Sequence, residues 1–256
     1  MRRILRLLLV HTWREFLQWM AWRAFLITLV INQTITPLIG LAVWSVALPG
    51  STSITTYYVA LLTVQVMTVS YEHHTFSNGI YTGALNQDLL RPHPVVLGPL
   101  GTNIAMRIWH LIIALPLIVV VALLFGIAPS WQAVVLAIPA LLLAATLRFL
   151  FTYLLALSAL WTERAHSLVG FGETLIFLLG GSAAPVTFFP ESIRPIGEML
   201  PFWSMLGFPA AIASSNLPAD QLLIGYGWQA LWIVLLLLMV VFVWRIGIRH
   251  YTALGG

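Results

Sequence analysis

Leu5, Leu8, Leu9, Trp13, Phe16, Leu17 and Met20 recur at helical spacing, while Arg3, Arg6, His11, Arg14, Glu15 and Gln18 fall mostly on the other side. This pattern predicts an amphipathic helix within residues 1–22, lying in the membrane interface with its arginines toward lipid head groups. Long apolar runs follow. They predict spans at about residues 24–48 (with Pro37 inside), 54–71, 103–125 (Pro116), 132–160 (Pro139), 168–188 and 225–244, each long enough to cross a bilayer as helix. Two stretches break the rhythm. Residues 72–94 are the longest polar interruption in the first half. Residues 189–224 carry five prolines (Pro190, Pro195, Pro201, Pro209 and Pro218), and their apolar pieces are too short or too broken to cross. They read as short helices that dip into the membrane or lie flat on it. The expected fold class is therefore an all-α membrane protein with six transmembrane helices, and residues 1–256 form a single transmembrane domain without repeat, linker or soluble part.

Composition agrees. The chain is 60% hydrophobic and 8% charged, against about 25% charged in soluble domains. A closed barrel would show alternation in segments of about ten residues, which is missing. All twelve basic residues are arginine. Arg2, Arg3, Arg6, Arg14, Arg91, Arg164, Arg245 and Arg249 fall at loops of one face, whereas the opposite loops hold Arg194. That bias predicts both termini and residues 72–100 to be cytoplasmic and residues 189–224 external. Tryptophans near the span ends (Trp22, Trp109, Trp161 and Trp244 inside; Trp44, Trp131, Trp203 and Trp228 outside) suit the two interfacial belts. The N-terminus lacks the small-residue cleavage site of a signal peptide. A basic face on a soluble domain, which nucleic acid would require, is not present.

The chemistry is mostly excluded. A phosphate-binding loop of the G-x-x-x-x-G-K-[ST] type needs a lysine, and the chain has none. Without cysteine there is no disulfide, thiolate metal site or cysteine nucleophile. Glu72-His73-His74 is not an H-E-x-x-H zinc motif, because adjacent helical residues point in different directions. The Glu72 cluster reads first as a polar cap at a span's inner end, with gating or partner contact as the alternative. Charges inside spans call for partners. Glu173 is expected to pair with Arg148 or Arg107, either fixing helix packing or forming a gate. The small residues from Gly170 to Pro185 suit either close helix packing or a break in the fifth span.

Within residues 72–94 a short helix is expected, capped by Ser77 or Asn78, with Leu85 and Leu89 on one face and Pro92 ending it. The run Gly83-Ala84-Leu85-Asn86-Gln87-Asp88-Leu89-Leu90-Arg91-Pro92, the amphipathic N-terminal helix and the broken region with Leu200-Pro201-Phe202 and Pro209 resemble the permeases of ABC-2 type ATP-binding-cassette exporters, here the six-span bacterial kind. The resemblance implies a non-enzymatic permease that forms half of a translocation pathway in the cytoplasmic membrane, paired with a second permease, homo- or heterodimeric. It implies that ATP and magnesium sit on a separate cytosolic ATPase. It also implies that Leu85, Asn86, Asp88, Leu89 and Arg91 belong to a coupling helix docked on that ATPase, and that Pro201, Phe202 and Pro209 belong to an external cap. Two rival readings remain. One is an intramembrane enzyme, lipid-modifying or hydrolytic, that would depend on His73, His74, His110 or His166; the other is a non-catalytic channel or assembly subunit.

Overall fold

A computed structural model describes residues 2–128, 130–162, 165–214 and 217–251, and side chains throughout except at 165 and 166. The described residues contain twelve α-helices: α1 (Arg2–Ala21), α2 (Arg23–Ala47), α3 (Thr52–Met67), α4 (Glu72–Tyr81), α5 (Ala84–Leu89), α6 (Leu97–Leu124), α7 (Trp131–Leu157), α8 (Ala165–Leu179), α9 (Arg194–Met199), α10 (Pro201–Met205), α11 (Gly207–Ser214) and α12 (Ala219–His250). No strand occurs among them. Five stretches are long and apolar enough to cross a membrane: Arg23–Ala47, Thr52–Tyr81, Leu97–Leu124, Trp131–Leu160 and Ala219–His250. The predicted sixth, at residues 168–188, is shorter. Helix α8 stops at Leu179, and its 15 residues rise about 22 Å, less than the roughly 30 Å hydrocarbon core. Gly180 and Gly181 end it, the latter with φ 90°, so the small-residue stretch is a break and not a continuous packing face. The polar turn expected at residues 161–166 lies partly outside the described residues, as do Glu163 and Arg164, and with them His166's side chain.

Pro37, Pro116 and Pro139 all lie inside long helices, as anticipated. Side chains of a neighbouring helix bond to the α7 backbone on either side of one of these prolines. Near Pro139, Tyr226 donates to the Leu136 carbonyl and the buried Gln229 amide donates to Ala140 O, 3.0 Å away. The same amide reaches Ser204 O at 2.9 Å, so one glutamine ties α12 to α7 and α10.

The proline-rich region differs most from expectation. Helices α10 and α11 are buried, with α11 packed between α3 and α7. Pro201 starts α10, Phe202 meets Phe151 edge-on at 5.7 Å, and Pro209 sits buried within α11. Trp203, expected in an interfacial belt, is 8% exposed. These pieces are too short to span, yet apolar all round, and such helices find their solvent in the protein interior.

Helix α1 lies along α6: Trp109 Nε1 donates to Phe16 O at 3.0 Å and the two rings stack at 4.7 Å. Leu5, Leu9, Trp13, Leu17 and Met20 stay uncovered by protein. His11, expected on the polar outer side, is instead the buried residue, edge-on to His93 at 5.3 Å. Burial, with repulsion from Arg14, His93 and Arg91 adding to it and Asp88 opposing, holds its imidazole below the ordinary value. The folded state therefore binds the proton more weakly than the free chain. Docking of α1 is fully supported above the ordinary histidine value of about 6.5 and is lost as pH falls through the depressed one. Hydrogen exchange of α1, corrected for the intrinsic rate, is expected to show weaker protection at pH 5 than at pH 7.5. His11→Asn should abolish that difference; an unchanged pH dependence would place the proton elsewhere.

Candidate functional site: a broken helix and the segment beyond it

Thr68 to Tyr71 leave the helix between α3 and α4. The carbonyls that follow α3 then need donors, and helix α6 supplies them. Arg107 on α6 donates through Nε to Val69 O at 2.9 Å and through Nη2 to Ala145 O at 2.7 Å and Thr68 O at 3.5 Å. Asn103, one turn earlier, donates to Ser70 Oγ at 2.9 Å. Ser70 in turn donates to Glu72 Oε2 at 2.8 Å, and Thr152 Oγ1 on α7 lies at the same distance. Glu72 is 2% exposed and is the first residue of α4, where the positive end of the helix dipole favours a carboxylate. Arg148, one turn before Thr152, donates to Thr68 Oγ1 at 3.1 Å and Gln65 Oε1 at 3.4 Å; Gln65 donates to Gln33 Oε1 at 2.9 Å. Tyr71 OH sits 3.3 Å from His110 Nε2, whose other nitrogen donates to Met106 O at 2.8 Å. Five helices thus meet around a stretch of irregular backbone, which is tolerated at membrane depth only when protein encloses it.

This overturns the expected pairing of Glu173. Its carboxylate lies 3.0 Å from His73 Nε2, and neither Arg148 nor Arg107 forms an ion pair with it. Both arginines bond at the helix break instead; Arg148 stays in electrostatic range of Glu173 without pairing with it, and the buried Glu72 is in range of both. Glu72 is thus a structural centre of the bundle and more than a polar cap. The sequence did carry a signal. Asn103 and Arg107, like Arg148 and Thr152, are polar pairs at i, i+4 on otherwise apolar helices, and so face one point.

Beyond the break, the segment expected to be a single cytosolic helix divides. Helix α4 packs on α7 with Phe76, Ser77 and Ile80 buried, so it prolongs the second span. Neither Ser77 nor Asn78 caps a helix: both lie inside α4, and the Ser77 hydroxyl donates to His73 O. Gly83, with φ 76°, separates α4 from α5, a conformation that other residues adopt at a cost. Leu85 and Leu89 do not share an outward face: Leu85 is 1% exposed and anchors α5 in the core, while Leu89 and Leu90 are exposed, Leu90 at 87%. Asp88 and Arg91 pair at 3.0 Å beside them, and Asn86 is half-buried. The exposed tip is therefore Asp88 to Arg91.

At the other end of α3 a cavity of about 630 Å³ opens among Tyr57, Glu198, Trp203, Phe208 and Trp228. Its wall includes Pro185, Thr187 and Phe188, which follow directly on the turn after α8. There Tyr57 OH donates to Gly181 O at 3.1 Å, Trp44 Nε1 donates to Ala183 O at 3.0 Å, and Tyr58 OH approaches the Ser182 and Ala183 carbonyls.

An all-helical chain with five span-length apolar helices, a charged network sealed in the bundle and an exposed tip beyond it is a multi-pass membrane protein. A family profile described as ABC-2 family transporter protein matches residues 17–255, and the chain belongs to that family. It is thus a permease component of ABC transport. No curated protein and no solved structure matches it.

Proposed function

We propose that the chain is the permease subunit of an ATP-driven exporter. It forms half of a translocation pathway with a second permease and is moved by a separate cytosolic ATPase that carries the ATP and magnesium. The proposal includes a bacterial cytoplasmic membrane location, both termini cytoplasmic, α1 in the inner interface, α8 as a short sixth crossing and α10–α11 toward the external exit. The observation that carries it is the tip Asp88–Arg91: an exposed leucine pair flanked by a charge pair, on a helix anchored inward by Leu85. An apolar tip held rigid from behind is what a partner groove can grip, since a few desolvated anchors supply most of the affinity at an interface. The family supports the rest, because an ABC permease without a phosphate-binding loop takes its energy from elsewhere.

The test is Asp88→Lys combined with Leu90→Glu, in the complex purified with its ATPase. Leu90 is 87% exposed, whereas Asp88 is half-buried and paired with Arg91, so Leu90→Glu alone serves as the stability control and should melt at the wild-type temperature; ATP hydrolysis by the complex should fall at least tenfold in both the single and the double variant. A variant that binds the ATPase and transports at the wild-type rate would place the coupling contact on another part of the chain.

A further inference from the structure

His73, His74 and Glu173 come together where α4 meets α8. One ligand atom from each can be chosen so that all three lie within 4.8 Å of one another. His73 is 2% exposed, and neither of its ring nitrogens has a well-formed hydrogen bond. Nε2 comes within 3.0 Å of Glu173 Oε1 but lacks the alignment a hydrogen bond requires. A buried imidazole with two unsatisfied nitrogens is costly. The two histidine rings sit 4.2 Å apart, centroid to centroid, because both belong to the first turn of α4.

We propose that these three residues form a binding site for a divalent transition-metal ion of the zinc type. The donor set, two imidazoles and one carboxylate, is that of zinc sites that keep a fourth position open. The spacing fits. Bonds of 2.0–2.1 Å in a tetrahedron put ligand atoms about 3.3 Å apart, close to the His73–Glu173 separation. The wider gap to His74 closes by rotation of an exposed side chain. The ion would join the first turn of α4 to the middle of α8, two helices whose own packing is slight, and would satisfy the buried His73 ring. The sequence argument against zinc still holds for H-E-x-x-H. It misses this arrangement because the third ligand comes from a helix a hundred residues away.

The test uses the full chain, purified without a histidine tag, with Co²⁺ as the optical probe and Zn²⁺ as the competitor. One Co²⁺ per chain is expected, with visible bands of a near-tetrahedral site that Zn²⁺ bleaches. Glu173→Gln and His74→Asn, both at exposed positions, should each weaken Zn²⁺ binding at least tenfold. His250→Asn, remote on α12, should leave it unchanged. Zn²⁺ should raise the melting temperature of the wild type but not that of the Glu173→Gln, His74→Asn double variant. Absence of the bands, or equal affinity in wild type and variants, would overturn the site and leave His73–Glu173 as a simple polar contact. Neither result depends on an ATPase, so failure here is separate from failure of the coupling contact.

Discussion

Arg107→Met is expected to be the most damaging single substitution within the membrane domain, lowering stability by about 3 kcal/mol or more. Methionine fills similar volume but donates nothing, so Thr68 O, Val69 O and Ala145 O lose their guanidinium partner together. Interhelical hydrogen bonds in membranes average only about 0.6 kcal/mol, because the chain unfolded within the membrane also finds partners for its polar groups. Arg107 differs in serving several carbonyls at once. Two of the acceptors, Thr68 O and Val69 O, are backbone carbonyls at a fixed break, while Ala145 O lies inside helix α7, and each unsatisfied buried group costs about 1–3 kcal/mol. Asn103 partly covers Val69 O at 3.4 Å, which sets the lower end. Arg107→Lys should fall between, since an ammonium is a point donor and cannot fork across two helices. Arg148→Met should cost less, because its acceptors are side chains that can turn to other partners. Melting of the three variants in nanodiscs gives the ranking. Arg107→Met melting like wild type would mean that the break is held by packing alone.

The sequence was informative wherever the signal is local. Leu5, Leu9, Trp13 and Leu17 predict the uncovered stripe of α1, and the runs around Pro37, Pro116 and Pro139 predict helices that the prolines do not end. It failed where the answer depends on which helices become neighbours. Glu173 could be seen to need a partner, but not that the partner would be His73 on α4. His11 looked solvated by its position on the helical wheel, yet α6 covers that side of α1. Residues 201–214 were read by length, which correctly denies them a crossing, but length cannot say whether a short apolar helix lies on the membrane or inside the bundle. The break at residues 68–71 falls where the second span was expected to end, but the sequence there does not show what makes it, since it holds neither glycine nor proline. Its irregular backbone is stabilised from α6 and α7, so the breaking signal is written on Asn103, Arg107 and Thr152 rather than on the broken strand of sequence.

The opposite end of α3 supplies the second large effect. Gly181→Ala is expected to cost about 3 kcal/mol or more, in two separable parts. At φ 90° an alanine is strained, a cost of about 1–3 kcal/mol. In addition, its Cβ would press into the Tyr57 hydroxyl, which already donates to the Gly181 carbonyl. Tyr57 is buried on α3 and backed by Tyr58 edge-on at 5.5 Å, so the ring has little room to retreat. Tyr57→Phe alone should cost about 1 kcal/mol, the net value of one hydrogen bond. Combined with Gly181→Ala it should be far less harmful than the sum, because deleting the hydroxyl removes the collision while the backbone strain stays. A coupling of at least about 1 kcal/mol is expected, within the range for residues in contact. Strict additivity would mean that the α8 turn moves away from α3 on substitution, and that the tyrosine hydroxyl does not fix the shape of the cavity wall.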